Sequence, residues 1–219
     1  MEPVQISRVT QHNLSPNCGP RRDGLLPTLI VIHFTAMKSA EAAIERLCDP
    51  TAEVSAHYVI ANKGELTQLV AEGMRAWHAG AGHWHGQDDI NSRSIGIELD
   101  NAGTHPFSEP LMHSLETLLP QIMKRWGILP HGVIGHSDFA PGRKIDPGPR
   151  FDWARLAQQN LAAASPPKGC TATDFKDLAE HAGYDTSVAP SDLLQAVRLR
   201  WNPTATGPLV PKDHAALKS

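Results

Sequence analysis

The stretch 28–35, TLIVIHFT, decides how this chain is read. Leu29, Ile30, Val31 and Ile32 form a continuous apolar run rich in β-branched side chains, which is the composition of a buried strand. His33 follows at the strand's end. A rigid strand fixes such a side chain while the loop beyond leaves room, so ligands and catalytic groups favour the position.

On the N-terminal side, residues 1–24 are polar and hold the turn-formers Ser15, Pro16, Asn17, Gly19 and Pro20, which read as a surface lead-in. They lack the basic start and apolar core of a signal peptide, so the expected location is the cytoplasm. An export signal lying ahead of this sequence would instead send the protein to the periplasm or the outer membrane.

On the C-terminal side, Ser39 is placed to cap a helix through about Cys48, ended by Asp49-Pro50. VSAHYVIAN, 54–62, and ELTQLVA, 65–71, read as two strands joined by a Lys63-Gly64 turn. Residues 73–93 form a long loop rich in glycine and histidine. SIGIELDN, 94–101, is a further strand, and Glu98 inside it requires a reason. Ser108 opens the most regular helix, where Leu111, Leu115, Leu118, Leu119, Ile122, Met123 and Trp126 repeat at three and four, and Gly127 closes it. GVIGH, 132–136, is a short strand leading to His136, and a last helix of the main domain begins around Phe151, Trp153 and Leu156. Strands interleaved with helices imply an α/β domain, residues 1–164, built on a mixed central β-sheet flanked by helices.

Beyond the linker SPPKG, 165–169, two apolar stripes follow, Phe175, Leu178, Ala179 and Ala182, then Leu193, Leu194, Val197 and Trp201. Two short helices can hardly carry a core of their own, so this C-terminal helical appendage, 165–219, is expected to pack on the main domain.

Composition narrows the function classes. The 219 residues carry a formal net charge of −3, which gives no electrostatic case for nucleic acid. No apolar run is long enough to cross a membrane. Cys18, Cys48 and Cys170 are odd in number and far apart, which argues against a disulfide framework and a thiolate metal site.

The chemistry concentrates in 131–149, HGVIGHSDFAPGRKIDPGP. His136 and Asp146 are separated by Pro141 and Gly142, which forbid a continuous helix or strand and let the loop fold back. With His33 they make a set of N and O donors that leaves zinc a fourth position for water, the catalytic arrangement. Asp138 competes with Asp146 for the third place on spacing alone. Glu98, a carboxylate in an apolar run with its pKa raised by burial, suits a proton shuttle. Lys144, two residues before Asp146, suits stabilisation of an oxyanion. Trp77 and His78 are candidate substrate contacts. His78, His83 and His85 make a poorly organised second metal set. HExxH and P-C-x-x-C are absent, which removes those zinc classes.

VIHFTA (31–36), VSAHYVI (54–60), WHAG (77–80), SIGIEL (94–99) and GHSDFAPGRKIDPGP (135–149) together resemble the zinc-dependent N-acetylmuramoyl-L-alanine amidases, the family shared with peptidoglycan recognition proteins and phage-type amidase lysozymes. The resemblance covers about residues 28–156. It implies one zinc per chain held by His33, His136 and Asp146, with Glu98 catalytic and Lys144 stabilising the oxyanion. It also implies hydrolysis of the amide between N-acetylmuramic acid and L-alanine in peptidoglycan or muropeptides. Ala56 stands where phage-type and recognition-protein relatives carry a tyrosine, which groups the chain with bacterial recycling and cell-wall amidases. Phe34-Thr35 replaces the asparagine that follows the first ligand in cytoplasmic recycling enzymes, a departure toward the membrane-attached relatives. The tail resembles a shortened peptidoglycan-binding module, with a helical cap as the other reading. Every candidate site residue lies upstream of it, so its removal is expected to spare the chemistry. A monomer is expected, and a non-catalytic muropeptide-binding module is the competing function.

Overall fold

The structure, a computed structural model, describes residues 9–12 and 15–218. Parts of the lead-in, residues 1–8 with 13 and 14, lie outside the described residues, as does Ser219.

The order is β1 (Val9–His12), β2 (Cys18–Pro20), β3 (Leu29–Phe34), α1 (Ala40–Cys48), β4 (Tyr58–Ile60), β5 (Leu66–Gln68), β6 (Met74–Ala76), α2 (Ile90–Arg93), β7 (Ser94–Leu99), α3 (Glu109–Trp126), β8 (Val133–Gly135), α4 (His136–Phe139), α5 (Trp153–Gln158), α6 (Phe175–His181), α7 (Pro190–Trp201) and α8 (Pro211–Leu217). Six strands form one mixed sheet in the order β1-β5-β4-β7-β3-β8. The β4–β5 hairpin is antiparallel, and β4, β7, β3 and β8 run parallel. The mixed sheet flanked by helices is the architecture expected from the sequence. No described helix is long and apolar enough to cross a membrane.

Because β3 is buried on both faces, its alternate residues feed two cores. Ile30 and Ile32, with Ile95, Ile97 and Leu99 of β7, pack under Leu111, Leu115 and Leu119 of α3. Leu29 and Val31 face the other way and meet Phe139 of α4, Phe175 and Leu178 of α6, and Leu193 and Val197 of α7. The C-terminal helices therefore cover one face of the sheet and share its core. A short α8 follows the two expected from their stripes.

Helix ends follow local chemistry. Ser39 Oγ accepts from Ala42 N–H at 3.3 Å, and Ser108 Oγ accepts from Leu111 N–H at 3.4 Å. Gly127 closes α3 in the left-handed region at φ 68°, where a side chain would be strained.

Several expectations are corrected. The strands read over 54–62 and 65–71 shorten to Tyr58–Ile60 and Leu66–Gln68. The long loop 73–93 contains β6, which pairs antiparallel with β2, and ends in the single turn α2. The described end of the lead-in is not all surface. Ser15 and Asn17 are buried, and Asn17 Nδ2 donates to the carbonyls of Asp49 and Val54 at 2.8 Å each, so these turn-formers seal the segment after α1.

Candidate active site

Parallel pairing sets the site. His33 on β3 lies beside Glu98 on β7, and Gly135, the last residue of β8, aligns with Ile32. His33 and Glu98 thus point the same way at the carboxyl ends of adjacent strands, where open α/β sheets place their ligands. His136 sits one residue past β8 and begins α4 rather than ending the strand, a small correction to the sequence reading. The loop after α4 returns Asp146 to the same point.

His33 Nδ1 lies 2.8 Å from Asp146 Oδ2, His136 Nδ1 lies 3.1 Å from the same oxygen, and the two Nδ1 atoms are 3.0 Å apart. Among the described residues, these three form the group of His, Cys, Asp and Glu side chains whose ligand atoms converge, all within 4.8 Å.

The far side of each ring fixes what faces inward. His136 Nε2 lies 2.9 Å from the carbonyl of Ala79, which can only accept, so Nε2 carries the proton and neutral His136 presents a bare Nδ1. Ser94 Oγ donates to Ile90 O at 2.5 Å, so it accepts from His78 Nε2 at 3.1 Å, leaving His78 Nδ1 to accept from His33 Nε2 at 3.0 Å. Neutral His33 then also turns a bare Nδ1 inward. Two imidazole lone pairs and a carboxylate oxygen face one another with no hydrogen to share. The donor set fits a metal cation, with each ring oriented from behind.

The ionisation of His136, Asp146 and His78 agrees, and His33 is the exception. Burial holds His136 down to about 4, so its ring is neutral near pH 7. Burial opposes charge on Asp146, but the close approach of the His136 and His33 rings outweighs it and holds the carboxyl well below the usual range. Burial likewise opposes a proton on His33, yet the negative charges of Glu98 and Asp146 raise its pKa. The field that draws a proton there would draw a cation. Burial pushes His78 well below its ordinary value and keeps it the neutral acceptor the geometry requires.

Glu98 stands beside this set. Burial raises its pKa above the ordinary glutamate value, and its Oε2 is buried with no hydrogen-bond partner among the described residues. The triad, Glu98 and Lys144 line one cleft of about 420 Å³, whose other walls include Phe34, Leu47 and Trp77. Lys144 is exposed at the rim. Trp77 forms wall, whereas the two ring nitrogens of His78 are taken by His33 and Ser94, so His78 braces the His33 ring and reaches the cleft only in part.

Asp138 does not join the converging group. Its carboxylate accepts from Gly135 N–H at 2.8 Å and from Tyr184 O–H at 3.0 Å, on the far side of α4. His83 and His85 are exposed, and His83 pairs with Asp185 at 3.6 Å rather than with the other histidines.

Two functional neighbours escaped the sequence reading. Asn91 Oδ1 accepts from the backbone of His78 and Ala79 at 2.9 and 2.8 Å, holding the loop that carries both ring partners. Ser94 fixes the His78 tautomer. Neither stands at a recognisable spacing from its partner, and only the β2–β6 pairing and the α2 turn bring them together.

The model of the N-acetylmuramoyl-L-alanine amidase family matches residues 23–149, which include all five of His33, Glu98, His136, Lys144 and Asp146. The chain belongs to this family. This amidase is 38% identical over 151 residues to N-acetylmuramoyl-L-alanine amidase AmiD of Escherichia coli K12, a match spanning 62% of this chain and 54%, about half, of AmiD. It is 34% identical to the 1,6-anhydro-N-acetylmuramyl-L-alanine amidase AmpD of Enterobacter cloacae, over 67% of this chain and 87% of AmpD. Among solved structures, AmiD of E. coli in complex with anhydro-N-acetylmuramic acid-L-Ala-D-γ-Glu-L-Lys superimposes with a TM-score of 0.75 at 30% identity, over 91% of this amidase and 88% of that chain. AmpDh3 of Pseudomonas aeruginosa gives 0.76 at 26%, over 99% and 96%.

Proposed function

We propose that this amidase uses one zinc ion, held by His33, His136 and Asp146, to hydrolyse the amide between N-acetylmuramic acid and the L-alanine of a muropeptide stem. The observation that carries the reading is the convergence of two bare Nδ1 atoms and a carboxylate oxygen beside Glu98, whose Oε2 has no partner among the described residues. Two nitrogens and one oxygen are a zinc donor set that leaves an open position. Bound there, zinc supplies Lewis acidity, polarising the scissile carbonyl and acidifying the attacking water.

The protein's groups do the rest. Glu98 takes the proton of the attacking water as the new O–C bond forms at the carbonyl carbon. It then gives that proton to the alanine nitrogen as the C–N bond breaks, so a carboxylic acid and a free stem peptide leave. A raised pKa suits a group that must both accept and return a proton. The Lys144 ammonium, at the rim of the same cleft, meets the developing oxyanion. Trp77 provides an apolar wall for the sugar or peptide. A muramyl–L-alanine substrate is supported by the names of the relatives, AmiD and AmpD.

Incubation with the tetrapeptide-free probe anhydro-N-acetylmuramic acid-L-Ala-D-γ-Glu-L-Lys tests the reading by mass spectrometry of the products. Release of L-Ala-D-γ-Glu-L-Lys, abolished by a chelator and restored by added zinc, is expected. Binding of the probe without cleavage, with zinc present, would favour the muropeptide-binding module instead.

A further inference from the structure

The geometry points to Arg200 and Tyr184, in the C-terminal helical region, as positioning residues for the metal ligand His136, acting through Asp138. Asp138 lies two residues after His136 on the single turn of α4 and is almost wholly buried. A carboxylate in that setting is costly unless charge and hydrogen bonds compensate it. One hydrogen bond is local, from Gly135 N–H. The other compensation comes from the tail, with the Tyr184 hydroxyl donating at 3.0 Å and the Arg200 guanidinium 3.7 Å away.

Arg200 is itself fixed. Its guanidinium is buried, lies 3.6 Å over the Trp153 ring, and donates to Val133 O on β8 at 3.2 Å. It therefore spans the strand before His136 and the turn after it. The Phe139 ring, stacked on His136 with centroids 4.9 Å apart, belongs to the core that α6 and α7 share. The Asp192 carboxylate of α7 also packs against Gly142, so the same helix touches the loop at both ends of the Asp138–Gly142 segment.

α4 is only four residues long and cannot hold His136 by its own hydrogen bonds. Its orientation comes from what it is packed against. Deleting 166–219, harmless on the sequence reading, would strip Asp138 of its cation and its hydroxyl and uncover Phe139. The tail is thus part of the support of the site, whatever else it binds.

The inference rests on the zinc reading of His33, His136 and Asp146, and its test is zinc affinity. The zinc-loaded full chain is titrated at 25 °C with a chelator of known affinity, beside a thermal melt of the same sample. Loss of an outer partner of a metal ligand typically costs about 10–100-fold in affinity. Arg200→Met is expected to raise the zinc Kd by that factor, Arg200→Lys to stay nearer wild type because the charge on Asp138 is kept, and Tyr184→Phe to raise it several-fold. A wild-type Kd in Arg200→Met, with only the melting temperature lowered, would mean that Arg200 serves the fold alone and would overturn the inference. If Arg200→Met does not fold, the isosteric Tyr184→Phe decides, and an unchanged Kd there overturns it equally. A wild-type chain that takes up no zinc would defeat the metal reading itself, a result distinct from either.

Discussion

His136 shows how a single residue is specified by its surroundings. Its Nε2 meets the Ala79 carbonyl and its neutral ring presents Nδ1 to Asp146 and His33. Replacing it removes one of three donors and leaves a metal weakly held, because affinity for such a site depends on the full donor count. His136→Ala is therefore expected to fall from about one zinc per chain to near none after dialysis, measured by elemental analysis. Full occupancy in that variant would contradict the ligand assignment. The three converging side chains were legible in the sequence because each terminates a recognisable feature: His33 a strand, His136 a short apolar run, Asp146 a Gly/Pro loop. The bracing role of His78 was not legible, since its partners Ser94 and His33 lie 16 and 45 residues away and only tertiary structure pairs them.

At the level of elements, β7 carries the chemistry on one face and the core on the other. Ile95, Ile97 and Leu99 pack beneath α3, while Ser94, Gly96 and Glu98 face the site. Gly96 is glycine because the His78 ring lies directly over it, and an added Cβ would fall 2.5 Å from the ring. Such an approach must displace the ring, and with it the acceptor for His33 Nε2. Gly96→Ala is expected to weaken zinc binding by about 10-fold or more, the usual range for a disturbed outer partner. A chelator titration giving wild-type affinity would show that His78 does not hold His33. The alternation over 94–99 was visible in the sequence, although only the structure shows that the polar face is also covered. The three-residue strands β2 and β6 were not visible, because CGP and MRA carry neither an apolar run nor a clean alternation. The long loop therefore looked free when it is tied to the lead-in.

For the molecule as a whole, a neutral histidine ties global stability to pH. His57 is fully buried, accepts from Gly96 N–H at 3.0 Å through Nδ1, and donates from Nε2 to Met74 O at 3.1 Å. That pattern requires the neutral ring, and burial holds its pKa down to about 4. The unfolded chain takes up this proton first, so the contribution is intact above about pH 6.5 and is lost as pH falls from there toward 4. The gap amounts to roughly 3 kcal/mol at most. His57→Gln cannot titrate, so its stability difference from wild type in urea melts is expected to shrink as pH falls through that window. A difference independent of pH would contradict the neutral-ring account. At this scale the α/β class was readable from interleaved strands and helices. The covering of one sheet face by α6 and α7 was readable only as two stripes lacking a core of their own, and nothing in the sequence pointed Arg200 at Asp138.

The central claim, that Glu98 moves the proton in amide hydrolysis at a metal held by His33, His136 and Asp146, is tested most directly by kcat of Glu98→Gln on a muropeptide. Glutamine keeps the volume and polarity of a side chain whose Oε2 has no partner among the described residues, so melting temperature and zinc content are expected to stay at wild-type values. Removing a general base typically costs about 10²–10⁴-fold, and the account predicts a fall in kcat of that order. A Glu98→Gln enzyme that turns over at the wild-type rate with zinc bound would contradict it.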